Sequence, residues 1–319
     1  MHLQPTRSFF FIHAKLCTLR RLIMIDRFLG MFQTLPAKGI ARAASALGSL
    51  WYALDRRHRE LAQSNIRLAL GVPEKEARRI ARENIIHLTR VFLETARLPQ
   101  INADNYRDFV EIEGIEHLRK SLELGRGAFT LSGHFGNWEW MAYCQPFVLP
   151  VRFNIVARPL KPPELNDMVR RLRERSGNRI IDKKNAATPI LRALKRNEMV
   201  GVLLDQNANN ETGVYAPFFG GVVPTHRATA LLAIKTGAPV HPVFNWRMES
   251  GKYRTEVHPA IELPTEGPLA ERVYQATALF NSSLEQQIRR FPSQWYWIHR
   301  RFRDYIPNPH AVHQDNAPA

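Results

Sequence analysis

The sequence predicts an α/β fold: a sheet with helices on both faces, preceded by a helical region. Three observations carry that prediction. From Phe109 onward, short apolar runs of strand length alternate with stretches of helical periodicity, the pattern of a layered sheet. Before Phe109 the apolar residues recur at three- and four-residue steps, the helical period. One apolar run, Ala128-Phe129-Thr130-Leu131, passes directly into a glycine-flanked histidine. In open α/β sheets that position lies at the carboxyl edge, where ligands bind.

In the helical region, Ile40, Ala44, Leu47, Trp51 and Leu54 form one apolar stripe. Phe28, Leu29, Met31 and Phe32 precede it beside Arg27, and Asp55-Arg56-Arg57-His58-Arg59 follows. A stripe that carries Trp and is flanked by cations suits a helix lying in a membrane interface. It equally suits packing on the protein's own domain, and the two readings are compatible along its length. Asn65–Leu70 reads as helix. Pro73-Glu74-Lys75-Glu76 opens another, because proline and acidic residues suit a first turn. Its stripe of Ala77, Ala81, Ile85, Leu88, Phe92 and Ala96 is expected to face the core.

Strands are expected at Phe109–Ile112, Ala128–Leu131, Phe153–Ala157, Arg179–Ile181, Met199–Leu204, Val240–Phe244 and Tyr253–Val257. Helices are expected at Glu116–Leu124, Trp138–Cys144, Pro163–Arg175, Ala186–Arg196 and Thr229–Thr236, and a long one over Leu269–Arg290 closes the domain. The chain thus divides into an extension outside the pattern (1–26), a helical, membrane-associating region (27–104) and an α/β domain (105–305). A Pro-, Asn-, His- and Ala-containing tail (306–319) is expected to be disordered.

The formal charge of +16 over 319 residues points to a polyanionic partner: nucleic acid, anionic lipid or an acidic protein. No helix-turn-helix, zinc-finger or RNP signature is present, which argues against nucleic acid. No run of 18 apolar residues occurs, so no transmembrane helix is expected. Phe9-Phe10-Phe11-Ile12 is too short for a signal-peptide core. Cys17 and Cys144 make neither a disulfide framework nor a metal motif, and no metal or cofactor is expected.

The most informative segment is Ser132-Gly133-His134-Phe135-Gly136-Asn137-Trp138-Glu139-Trp140. A zinc helix needs His-Glu-x-x-His and a serine elbow needs Gly-x-Ser-x-Gly; this segment is neither. A histidine with a carboxylate five positions on reads as a general base with its orienter. On that reading His134 takes the proton of a substrate hydroxyl and Glu139 holds the ring. A non-catalytic membrane-surface protein has no use for the pair. Cys144 reads as a buried free cysteine rather than a nucleophile.

Further segments follow in order: Arg158-Pro159, Arg171-Leu172-Arg173-Glu174-Arg175-Ser176-Gly177, Leu203-Leu204-Asp205-Gln206, Gly213–Gly220 ending in Phe-Phe-Gly, Thr236-Gly237-Ala238-Pro239-Val240, and Pro292–Arg301 with Gln-Trp-Tyr-Trp-Ile-His-Arg-Arg. From about Leu35 to Phe302 this series resembles the bacterial lipid A late acyltransferases, the lauroyl/myristoyl branch of the lysophospholipid acyltransferase superfamily. Nothing before Met24 fits it. The chain departs from the family after Phe-Phe-Gly, where it carries His226-Arg227 in place of small residues.

The resemblance implies a glycerolipid-acyltransferase-like sheet and an O-acyltransferase on the cytoplasmic face of the bacterial inner membrane, held there peripherally. Its donor would be acyl-acyl-carrier protein, its acceptor a hydroxyl of a lipid A precursor, and its surroundings the anionic membrane surface. The runner-up is a relative that acylates another lysophospholipid or glycolipid, from acyl-CoA. His134 and Glu139 match the family's His-x4-Asp/Glu. Arg158, Arg173, Asp205, Gln206 and Gly220 are expected to bind substrate. Arg158 suits a phosphate, the oxyanion or a surface ion pair. Asp205 suits a sugar hydroxyl, an orienter of Arg158 or a structural role. Phe218–Gly221 suits an acyl channel, an oxyanion hole or a tight turn. Gln294–Arg301 suits a headgroup-level aromatic belt or a folded cap.

Overall fold

The computed structural model describes residues 30–209 and 211–307. Three helices open the described chain: α1 (Ala37–Leu54), α2 (Arg56–Leu70) and α3 (Glu74–Thr95). Asp55 separates the first two and caps α2, accepting the His58 backbone N–H at 3.1 Å, as a short carboxylate at an N-cap does. Gly48 sits where α1 crosses α3. A Cβ there would stand 2.7 Å from the Ile86 Cα, so the close approach requires glycine.

The α1 stripe divides. Ile40, Ala44 and Gly48 are buried, whereas Leu47, Leu50 and Leu54 are exposed, Leu54 by 75%. Met31 is exposed and Phe32 buried; Phe28 and Leu29 lie outside the described residues. Phe92, expected in the core, is 54% exposed. The buried face of α3 steps from Leu88 to Val91 instead, a three-residue step that leaves Phe92 off it.

The remainder is β1 (Val110–Glu113), α4 (Ile115–Leu122), β2 (Ala128–Ser132), α5 (Trp138–Val148), β3 (Phe153–Ala157), α6 (Pro163–Glu174), β4 (Arg179–Asp182), α7 (Ala187–Lys195), β5 (Met199–Leu203), β6 (Gly213–Phe218), β7 (Gly221–His226), α8 (Ala228–Thr236), β8 (Val240–Arg247), β9 (Tyr253–Val257), α9 (Leu269–Arg290) and β10 (Ile306–Pro307). Seven strands form one sheet in the order β1-β9-β8-β2-β5-β3-β4. The run from β8 to β4 is parallel, β9 turns back antiparallel on β8, and β1 pairs parallel with β9.

Helices cover both faces. Alternate residues of the buried central strand explain why. Phe129 and Leu131 of β2 pack with Ile190, Ala233 and Phe280 of α7, α8 and α9. On the other face Met199 and Val243 pack with Leu118 and Met141 of α4 and α5.

The sequence reading has no strand between Leu204 and Val240; the structure has two. β6 and β7 form an antiparallel hairpin through Phe219 and Gly220, both at positive φ (50° and 73°), the geometry of a two-residue hairpin turn. Pro217 and Pro224 inside the runs disguise them, since proline argues against strand. Ile306–Pro307, expected in the tail, instead adds an edge strand to β7; residues 308–319 lie outside the described part.

Candidate active site

β2 and β5 are neighbours, and their registered ends, Ser132 and Leu203, place His134 and Asp205 side by side just beyond the sheet. His134 Nδ1 lies 2.8 Å from Asp205 Oδ1, and the His134 backbone N–H donates to Oδ2 at 2.7 Å. Trp295 Nε1–H adds a third hydrogen bond to Oδ2 at 2.8 Å. Asp205 is only 3% exposed. Burial alone would push its carboxyl pKa up; the His134 charge and the three hydrogen bonds outweigh burial and hold it below the ordinary range. Burial likewise would lower the His134 pKa. The Asp205 charge and hydrogen bond, with a smaller contribution from Glu139, outweigh that and raise it above the usual 6.5. With Nδ1–H given to Asp205, Nε2 keeps its lone pair, and it has no hydrogen-bond partner among the described residues.

The orienting contact assigned to Glu139 from the sequence is therefore made by Asp205. Glu139, in the first turn of α5, points to Arg173 on α6. Arg173 Nε donates to Oε2 at 2.9 Å, its second nitrogen donates to Oε1 at 2.5 Å, and Trp138 Nε1–H donates to Oε1 at 3.2 Å. Burial opposes its charge, but Arg173 outweighs burial and holds the Glu139 pKa down. A helical first turn five residues past His134 turns the side chain toward α6, a direction that spacing alone does not reveal.

The loop that carries His134 is fixed from three sides. Gly136 (φ 57°) packs on Asn245 so closely that a Cβ would overlap the Asn245 carbonyl, and its own carbonyl meets His87 Nε2 of α3 at 3.1 Å. Asn137 caps α5 through the Trp140 N–H at 3.1 Å and donates to Glu94 at 3.2 Å. Glu94 is itself buried between Arg90 and Arg247. The third side is the Gln294–Arg301 segment, which is a folded cap. The Gly136 N–H donates to the Gln294 carbonyl at 2.9 Å, and the Tyr296 N–H donates to the His134 carbonyl at 3.0 Å. Asn65 and Asn84 on α2 and α3 hold the cap, donating to the carbonyls of Trp297, His299, Ser293 and Trp295. Trp295 and Trp297 are buried. Nothing in the spacing of the two asparagines marks them as partners of a segment over 200 residues away.

In front of the ring opens a cavity of about 570 Å³, walled largely by apolar residues such as Ile155, Val156, Ile190, Val202 and Leu232, a size ordinary for ligand sites. His134, Glu139 and Arg173 line it. Beside it lies a polar cleft of about 630 Å³. Arg158 and Gln206 line both, so the structure brings these expected substrate residues to the site. Asp205 lies beneath the ring, outside either lining. Gly220 is not there: it serves the β6–β7 turn, while Phe218 and Phe219 belong to the core. The Phe219 N–H, offered as an oxyanion donor, is taken by Glu285 at 2.7 Å. Cys144 is buried and its pKa pushed up to about 12, which suits an inert thiol.

A histidine at the carboxyl edge of an α/β sheet, facing an apolar cavity, can act as a base on an apolar substrate, and comparison with known proteins gives the class. The chain belongs to the bacterial lipid A biosynthesis acyltransferase family, whose sequence profile matches residues 19–304. The match starts ahead of both Leu35 and Met24. The chain is similar to the lipid A biosynthesis palmitoleoyltransferase of Escherichia coli K12, at 26% identity over 286 residues, 86% of this chain and 88% of that protein. It is also similar to the lipid A biosynthesis lauroyltransferase of the same organism, at 26% over 272 residues, 84% and 87% of the two chains. A phosphatidylinositol mannoside acyltransferase of Mycobacterium tuberculosis is 30% identical over 214 residues, 66% of each chain.

Proposed function

We propose that the protein moves a fatty acyl chain from acyl-acyl-carrier protein to a hydroxyl of a lipid A precursor, with His134 as general base held by Asp205. The observation that carries this reading is the Nε2 of His134, without a hydrogen-bond partner among the described residues, on a ring that lines an apolar cavity and whose Nδ1 is fixed 2.8 Å from a buried carboxylate. The acceptor hydroxyl loses its proton to Nε2 as its oxygen attacks the thioester carbonyl. Asp205 stabilises the imidazolium that forms, and Glu139, held charged by Arg173, adds to that field from the cavity wall. The collapsing intermediate expels a thiolate, so no acyl-enzyme is needed. The apolar cavity suits the acyl chain.

A second reading, transfer to another glycolipid, is favoured by the similarity to the mannoside acyltransferase. The two separate when purified protein is given a lipid A precursor or a lysophospholipid or mannosylated glycolipid, and the product is weighed by mass spectrometry. We expect mass gain on the lipid A precursor. We also expect the carrier-protein donor to be preferred over acyl-CoA, with a margin that shrinks on adding salt and on changing Arg170 and Arg171 to Glu, because attraction to an acidic carrier is screened. Arg173 lines the cavity instead and pairs with Glu139. Equal kcat/KM for both donors at every salt concentration would remove the carrier protein from the mechanism.

Peripheral attachment to the inner membrane is part of the proposal. No helix among the described residues is long and apolar enough to cross a membrane, and Leu47, Leu50 and Leu54 present an exposed apolar ridge. Changing Leu50 and Leu54 to Glu is expected to weaken binding to anionic vesicles by roughly 100-fold or more, given about 1.5–3 kcal/mol for each fully buried leucine and about 1.4 kcal/mol per tenfold. Co-sedimentation measures it, and unchanged partitioning would assign the ridge another purpose. High salt alone should release only part of the wild-type protein.

A further inference from the structure

We propose that the polar cleft is a phosphate-binding site in which Arg57, Arg158, Lys184 and Arg300 grip a phosphate ester carried by a substrate; this rests on the acyl-transfer reading of the adjoining cavity. These four cations come from separate parts of the chain: the first turn of α2, the end of β3, the loop after β4 and the C-terminal cap. Arg56, Arg79 and Arg170 each meet a carboxylate within a helical turn. The four cations of the cleft meet none among the described residues. The single carboxylate in the lining, Asp182, accepts the Lys184 backbone N–H at 2.8 Å. Four cations lining one cleft with no carboxylate partner make a positive site that a multiply charged anion complements.

Lys183 and His226 stand on the wall shared by cleft and cavity. Lys183 Nζ donates to His226 Nε2 at 2.9 Å. Burial, then the Lys183 charge, holds His226 neutral, with a pKa of about 4. Lys183 is thereby anchored with its charge facing the cleft, and its own pKa is lowered by burial and by Arg158.

Three considerations select a phosphate ester. The cleft is compact, about 630 Å³, whereas a nucleic-acid polyanion would need an extended stripe. Guanidinium forks and an ammonium supplied by separate parts of the cleft wall suit the several oxygens of a phosphate. The Tyr296 ring lines the cleft and stands 5.7 Å from the His134 ring, so the anion belongs to a molecule engaged at the reaction centre. Phosphate on either substrate meets that description.

The test compares phosphorylated and phosphate-free twins by calorimetric titration of the full chain. Glucosamine 1-phosphate against glucosamine represents the acceptor, and 4′-phosphopantetheine against pantetheine the donor. The wild type is expected to bind one phosphorylated member at least about 10-fold more tightly than its twin, and Arg57→Gln/Lys184→Gln/Arg300→Gln is expected to lose most of that preference, since each charge-assisted contact is substantial. The pair that shows the preference names the source. All three side chains are exposed, and matching thermal unfolding establishes that the triple variant is folded. No preference in the wild type, or one that survives the triple variant, overturns the site. Absence of acyl transfer with the phosphate preference intact would instead overturn the acyl-transfer reading alone.

Discussion

His134→Ala is expected to lower kcat/KM by roughly 10³-fold, since a positioned base contributes about 10²- to 10⁴-fold and His134 is the cavity-lining histidine whose Nδ1 is held by Asp205. The protein should remain folded. Asp205 keeps its hydrogen bonds from the residue-134 backbone N–H and from Trp295, so the buried carboxylate is not orphaned. The stability loss has a defined sign with pH. The folded pKa of His134 is raised, so the stabilisation it supplies is fully present below about 6.5 and fades as pH rises through the folded value. The variant's deficit should therefore be larger at pH 5.5 than at pH 9, as chemical denaturation at the two pH values will report. Near-wild-type turnover in a folded His134→Ala protein would falsify the assignment.

Asp205→Asn should cost nearly as much, roughly 10²- to 10⁴-fold in kcat, by analogy with carboxylates that fix a histidine's tautomer in other enzymes. Two effects combine. The imidazolium loses its nearest counter-charge, and an amide no longer offers two acceptor oxygens to three donors, His134 Nδ1–H, His134 N–H and Trp295 Nε1–H. One donor is left unsatisfied, at about 1–3 kcal/mol of stability. The pH profile separates this from mere misfolding. In the wild type, activity is expected to fall as pH drops through the raised His134 pKa. Without Asp205 that acid limb should move to lower pH, because burial then lowers the pKa with less to oppose it. An acid limb that stays in place in Asp205→Asn would mean that some other group sets it.

Alternation of apolar runs gave the seven strands of the main sheet and most of their helices, because buried parallel strands must be short and apolar. The hairpin was hidden because Pro217 and Pro224 imitate a loop. His134 was legible because strand, glycine and histidine are adjacent in the chain. Its partner was not. Asp205 stood out only as a strand-end residue, and whether it meets Arg158 or His134 depends on strand order, with β5 inserted between β2 and β3. Glu139 illustrates the converse: proximity in the chain suggested a contact that the turn of α5 directs elsewhere. Lys183 and His226 become partners only once the end of β4 and the β7 strand are placed.

The C-terminal cap has a consequence for how the enzyme comes into being. The hydrogen bonds from Asn65 to Trp297 and from Asn84 to Trp295 span 232 and 211 residues of chain, and Trp295 is the third donor to the carboxylate under His134. A chain with everything up to α9 already synthesised has its histidine, its aspartate and its apolar cavity, but not the cap that bonds the His134 loop and adds the third donor to Asp205. α2, α3 and the loop that carries His134 are joined by one segment, residues 293–299, far along the chain from all three. Contacts of such long sequence separation form slowly, so the cap is expected to dock only after the sheet and its helices have formed.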